Sequence, residues 1–133
     1  MADRPLKRIA TVTLVVDDYD RALAFYCGKL GFICQGDIDL GGGKRWVVVT
    51  PQIGGAGLLL AQADGAEQTA TIGNQTGGRV GFFLHTDDFL RDHAAFLAAG
   101  VHFHEPPRFE PYGTVAVFED LYGNLWDLIE PKI

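Results

Sequence analysis

The chain has 133 residues, 47% of them hydrophobic, and a formal net charge of −6 at pH 7. That length suits one domain with a real core. No apolar run approaches the ~20 residues of a membrane helix, and an acidic chain without clustered Lys and Arg is not built to neutralise nucleic acid.

Ile9 to Val16 is apolar and β-branched, which predicts a strand. Asp17 and Asp18 follow as helix caps, because a carboxylate accepts from the free N–H groups of a first turn. Leu23, Tyr26, Cys27 and Leu30 recur at spacings of three and four, predicting a helix over Asp18 to Lys29 closed by Gly31. Phe32 to Ile38 reads as a second strand, Gly41-Gly42-Gly43 as a turn, Arg45 to Thr50 as a third strand and Gly57 to Ala61 as a fourth. Residues 63–78, rich in Gly, Thr, Gln and Asn, read as a mobile linker. The order then returns: a strand over Val80 to Thr86, a helix over Asp88 to Ala99 capped by Asp87 or Asp88 and ended by Gly100, and a strand over Val101 to Glu105 broken by Pro106-Pro107. A hairpin follows, Thr114 to Glu119 and Asn124 to Glu130 around Leu121-Tyr122-Gly123.

This return is written in the residues themselves. Asp17-Asp18, Arg21 and Ala24 come back as Asp87-Asp88, Arg91 and Ala94, while Tyr19 and Tyr26 become Phe89 and Phe96, at an offset of 87 − 17 = 70. Internal repetition fixes architecture first. The expectation is an α+β fold: two βαβββ modules in tandem (about 9–62 and 79–131, joined by 63–78) within a single domain over 1–133. One helix covers only one face of a four-stranded sheet, so the mixed sheets should form a curved trough with helices on the outer face.

Three stretches resemble the vicinal oxygen chelate superfamily of glyoxalase I, extradiol dioxygenases, and fosfomycin and bleomycin resistance proteins. They are Thr13 to Asp18 with Phe25-Tyr26 and Leu30-Gly31-Phe32; Gly81 to Asp88; and Phe118 to Glu130, which is similar to that family's D-P-x-G-N-x-x-E-L ending with Leu121 in place of Pro. The resemblance implies a divalent metal held by His and Glu in the trough. Matched position by position, those ligands fall on Thr11, within Leu58-Leu59-Leu60, on Gly81 and on Asp127. A lone carboxylate among Leu and Gly does not hold an ion, so no metal and no cofactor is expected. The resemblance also implies a homodimer with sheets completed across the interface.

Strand alternation with Thr11, Gly81 and Asp127 inward adds Thr13, Val15, Phe83, His85, Leu125 and Ile129 to the trough. Val12, Leu14, Val16, Phe82, Leu84, Trp126 and Leu128, all apolar, then face the helices. Gly81 is expected to leave open space. Asp127 is a ligand contact or a structural hydrogen-bond partner within its apolar run, and His85 is a proton-transfer group or a rim histidine. Trp46 and Phe83 read as an aromatic floor or as core. Tyr112 and Arg108 sit beside Pro111 near the trough mouth, as ligand contacts or plain surface. His102 and His104, beside Glu105, have H-x-H spacing but need further ligands from elsewhere. The segment resembles the family's edge strand and reads as a solvated edge. The Gly41-Gly42-Gly43 run precedes no helix and is no phosphate loop.

Three functions remain open. The first is a metal-independent small-molecule binding protein like the bleomycin resistance branch, with the ligand in the trough between the modules. The second is a glyoxalase-like lyase, isomerase or extradiol dioxygenase, with Asp127 and His85 as catalytic candidates. The third is a module whose trough is filled by its own side chains. Cys27 and Cys34 have no ligand-type spacing and read as free thiols of a reducing compartment, the cytoplasm. Met1 to Pro5 shows no signal-type apolar stretch.

Overall fold

The structure, a computed structural model, describes residues 5–132. Met1 to Arg4, which carry most of the N-terminal reading, and Ile133 lie outside the described residues. The first module runs β1 (Thr11–Val16), α1 (Tyr19–Tyr26), β2 (Ile33–Gly41), β3 (Lys44–Thr50) and β4 (Gly57–Gln62). A short helix α2 (Ala66–Thr69) leads to the second: β5 (Val80–His85), α3 (Phe89–Ala98), β6 (Arg108–Glu110), β7 (Gly113–Glu119) and β8 (Leu125–Pro131). Each module folds a four-stranded mixed sheet, ordered β1-β4-β3-β2 and β5-β8-β7-β6, with the first strand parallel to the last. The expected α+β fold of tandem modules is present, as two sheets that are not closed onto each other.

The repeated Asp-Asp divides its labour identically in both copies. The second aspartate caps the helix: Asp18 Oδ1 accepts from the backbone N–H of Asp20 and Arg21, and Asp88 Oδ1 from that of Arg91. The first pairs with the arginine one turn on, Asp17 with Arg21 and Asp87 with Arg91. Gly31 and Gly100 end the two helical stretches at φ 74° and 87°, conformations that a Cβ penalises.

Both helices cover the same kind of face. In the first module Leu14, Val16, Val47, Val49 and Leu60 are buried beneath Tyr19, Ala22, Phe25 and Tyr26 of α1. In the second, Leu128, Ala116, Phe118 and Trp126 lie beneath Phe89 and Phe96 of α3. These layers merge into one core. The Trp126 ring stacks on Phe82 at 4.6 Å, and reaches Tyr26 and Phe32 of the first module at 5.8 and 5.9 Å. Tyr26 also donates from its hydroxyl to Asp120 Oδ2 at 2.6 Å, and Tyr122 donates to Asp17 Oδ1 at 2.8 Å. Helix-covered surfaces therefore join the modules.

Three local expectations are corrected. Residues 63–78 are folded and tied down. Gln75 accepts from Val15 N at 2.9 Å and donates to Thr13 O at 2.7 Å, bonding the otherwise free edge of β1. The strand expected over Val101 to Glu105 is reduced to one bridge, Phe103 to Phe118, and the regular strand forms at Arg108–Glu110. Pro106 and Pro107 have no N–H to give the ladder, so pairing restarts only beyond them. The first helix is also shorter than Asp18 to Lys29, because Cys27 to Leu30 tighten into turns before Gly31.

Candidate functional site

Alternation gives each sheet an open face opposite its helix. On the first sheet, pairing of Thr13 with Leu59, Leu59 with Val48 and Ile38 with Trp46 places these residues together, in phase with Thr11. Trp46, whose orientation the sequence left undetermined, belongs to this open face and is 46% exposed. Thr11, Gly36, Ile38, Trp46 and Val48 line a cleft of about 300 Å³. On the second sheet, Phe83 pairs with Asp127, Asp127 with Val117, and His85 with Ile129. Phe83 is 63% exposed there.

Between the modules lie two further clefts. One of about 700 Å³ is bounded by Phe32, Pro51 and Gln52 on the first module and by Phe83, His85 and Arg91 on the second. Another of about 300 Å³ joins Val12 and Leu58 to Gly81, Phe83 and Trp126. The structure thus groups Gly81 with Phe83, Phe83 with His85, and Thr11 with Trp46. Trp46 and Phe83 stand on different sheets and line different clefts, so the chain does not make one aromatic floor of them. Tyr112 is exposed beyond β6, and Arg108 is engaged by Glu105 at 2.7 Å and Glu110 at 3.2 Å. Gly81 does not leave open space either. A Cβ there would meet Thr76 Cγ2 at 2.6 Å, because the folded linker has already filled it.

Asp127 is the electrostatically unusual group of the open faces. Its Oδ1 is buried and has no hydrogen-bond partner among the described residues, which supply no structural bond to explain it. Burial pushes the carboxyl above its ordinary range, the charge of Arg108 pulls it back, and Glu105 adds an upward push. Such a group favours a proton or a cationic donor.

The positions matched to the family's metal ligands do not fit a divalent ion. The open-face residue of β4 is Leu59, a hydrocarbon; Thr11 offers a hydroxyl and Gly81 no side chain; Asp127 alone is a carboxylate. Residues that sequence reasoning passed over include Arg91 and Asp92, which border the large cleft. The Asp87-x-x-x-Arg91 repeat was their signal. Glu119 was missed as the partner of the H-x-H pair: His104 Nε2 lies 2.8 Å from Glu119 Oε1, whereas Glu105 turns to Arg108 and to Val117 N.

Tandem βαβββ modules, each with an open strand face opposite its helix, define the fold class of this protein. Within it the chain belongs to the Glyoxalase/Bleomycin resistance protein/Dioxygenase superfamily, whose family model matches residues 8–128. It is 52% identical over 124 residues to an uncharacterized protein of Shewanella frigidimarina, covering 92% of each chain. The crystal structure of UcmS2 superposes with a TM-score of 0.81 at 31% identity, over 94% of this chain and 98% of that one. TnmS3, an antibiotic binding protein from Streptomyces sp. CB03234, superposes with a TM-score of 0.77 at 26% identity, over 98% and 100% of the two chains.

Proposed function

We propose that this protein is a metal-independent small-molecule binding protein that acts as a homodimer in the cytoplasm and holds its ligand between the modules. The buried Oδ1 of Asp127, without a hydrogen-bond partner among the described residues and on the same face as Phe83 and His85, carries the reading. A carboxylate so placed is satisfied by a ligand that brings a donor or a positive charge. Phe83 supplies an exposed apolar plane next to it in register, and His85 a second polar contact on the rim of the large cleft. The likeness to TnmS3 supports the same reading, as does the net charge of −6, which attracts cations.

A second copy is the natural cover for the open faces. Ile38, Trp46 and Phe83 are all more than 40% exposed in one chain, an apolar display that water disfavours. Packing one protomer's first sheet over its partner's second would bring Trp46 and Phe83 together.

The test is a thermal-shift screen of small aromatic and cationic compounds against chelator-treated protein, with hits confirmed by calorimetry. The expected result is stabilisation by flat cationic compounds, undiminished by chelator and lost in Asp127→Ala. Binding that requires an added divalent ion would overturn the metal-independent reading, and sedimentation as a monomer at micromolar concentration would overturn the dimer.

A further inference from the structure

Among the described residues, one cluster brings three metal-ligating side chains together: His102, His104 and Glu119, whose ligand atoms all lie within 4.8 Å of one another. We propose that this triad is a divalent transition-metal site, separate from the positions matched to the family's ligands. It is built from the edge segment before β6 and from the end of β7.

The first argument is distance. Nitrogen and oxygen ligands sit ~2.0–2.2 Å from Zn²⁺, so two of them on a tetrahedral ion stand ~3.3 Å apart. Glu119 Oε1 is 2.8 Å from His104 Nε2 and 4.0 Å from His102 Nε2, values that bracket that spacing. Changes of about 0.5 and 0.7 Å bring these two distances to that spacing.

The second argument is rigidity. His104 N donates to Val117 O at 2.8 Å and Glu119 N to His102 O at 3.0 Å, locking the two backbones that bear the ligands. Between the histidines, Phe103 points the other way. It packs at 4.5 Å on His93 and 5.6 Å on Phe118, which is fully buried. Anchoring Phe103 in the core forces both imidazoles onto the open face, with ring centroids 5.0 Å apart.

The third is chemistry. Two imidazoles and one carboxylate match Zn²⁺, Co²⁺ or Ni²⁺ rather than Ca²⁺ or Mg²⁺, which want oxygen alone. Binding through Nε2 requires that nitrogen to be without its proton, so any proton shared with Glu119 moves to Nδ1 or to water. His102 and His104 are exposed, which leaves the remaining coordination positions to water or to a ligand donor.

The experiment is titration of the full-length, chelator-treated protein with Co²⁺ and Zn²⁺. The expected outcome is one Co²⁺ per chain with visible d–d absorption, displaced by Zn²⁺. His102→Ala, His104→Ala and Glu119→Gln should each weaken binding by at least the ~10–100-fold that loss of a mere supporting group costs, while His85→Ala should not. Without any substitution, Zn²⁺ should shift the imidazole NMR signals of His102 and His104 and leave those of His85 and His93 in place. No binding at mid-micromolar metal, binding unchanged in the triad variants, or binding lost in His85→Ala would overturn the proposal. Because the trough ligand is tested after chelator treatment, failure of either reading leaves the other standing.

Discussion

Tyr26 and Asp120, 94 residues apart in sequence, meet in the core at 2.6 Å and join the first helix of one module to the hairpin turn of the other. Asp120 also accepts from Tyr122 N, Asn124 N and Asn124 Nδ2, all at 2.9 Å, so its carboxylate is fully engaged although buried. The aspartate of the D-x-x-G-N ending thus folds its own turn and holds the two halves together.

Tyr26→Phe should therefore cost about 1.5–3 kcal/mol, the range for losing a hydrogen bond to a charged group, and Asp120→Ala should cost more. Urea unfolding measures both. Burial, and then the Asp120 charge, hold the Tyr26 hydroxyl well above the ordinary tyrosine range. A raised folded-state value means that this stabilisation is complete below the unfolded value of ~10 and is lost as pH rises through the folded one. Wild type should lose stability in alkali more steeply than Tyr26→Phe.

Asp127→Asn should make the protein more stable at neutral pH, since it removes a carboxylate whose oxygen is buried without a partner. Its raised folded-state value has a defined sign: the penalty is absent below the unfolded value of ~3.9 and grows as pH rises through the folded one. The stability gap between variant and wild type, read from unfolding midpoints, should therefore shrink towards pH 3.5. A ligand-binding role further requires the more stable variant to bind worse.

Gly81→Ala should destabilise by about 1–3 kcal/mol through overpacking, because the new methyl meets Thr76 Cγ2 at 2.6 Å. Thr76→Ser removes that methyl while retaining the hydroxyl that donates to Arg79 O, so it should rescue the variant. A double-mutant cycle would expose the coupling. Additive effects would show that the linker does not fill the space at Gly81.

Gln75→Ala should free the outer edge of β1. Loss of the bonds to Val15 N and Thr13 O should cost about 1–2 kcal/mol. Hydrogen exchange at the Val15 amide should rise, and the variant should aggregate more readily through its unpaired edge.

Much of the fold was legible in the residues because its signals are local. Asp18 and Asp88 cap helices through their own side chains, Gly31 and Gly100 close them at positive φ, and apolar alternation in β1, β5 and β8 separates helix-covered from open faces. The repeat at an offset of seventy (87 − 17 = 70) then doubles that local grammar into two modules. The strand expected over Val101 to Glu105 misplaced the edge because Pro106 and Pro107 shift pairing downstream, and which segment finally reaches β7 is decided by the partner strand.

By itself, then, the sequence determined the element order, the phase of the faces and the absence of ligand-type side chains at Thr11, within Leu58-Leu59-Leu60 and at Gly81, since each follows from residue type at short range. Only the tertiary structure decided that Thr76 fills the space beside Gly81, that Gln75 secures β1, that Asp127 Oδ1 finds no partner among the described residues and that Glu119 lies beside His102 and His104. Each of these relations joins residues brought together by sheet register and module packing, and no spacing along the chain encodes how two surfaces dock.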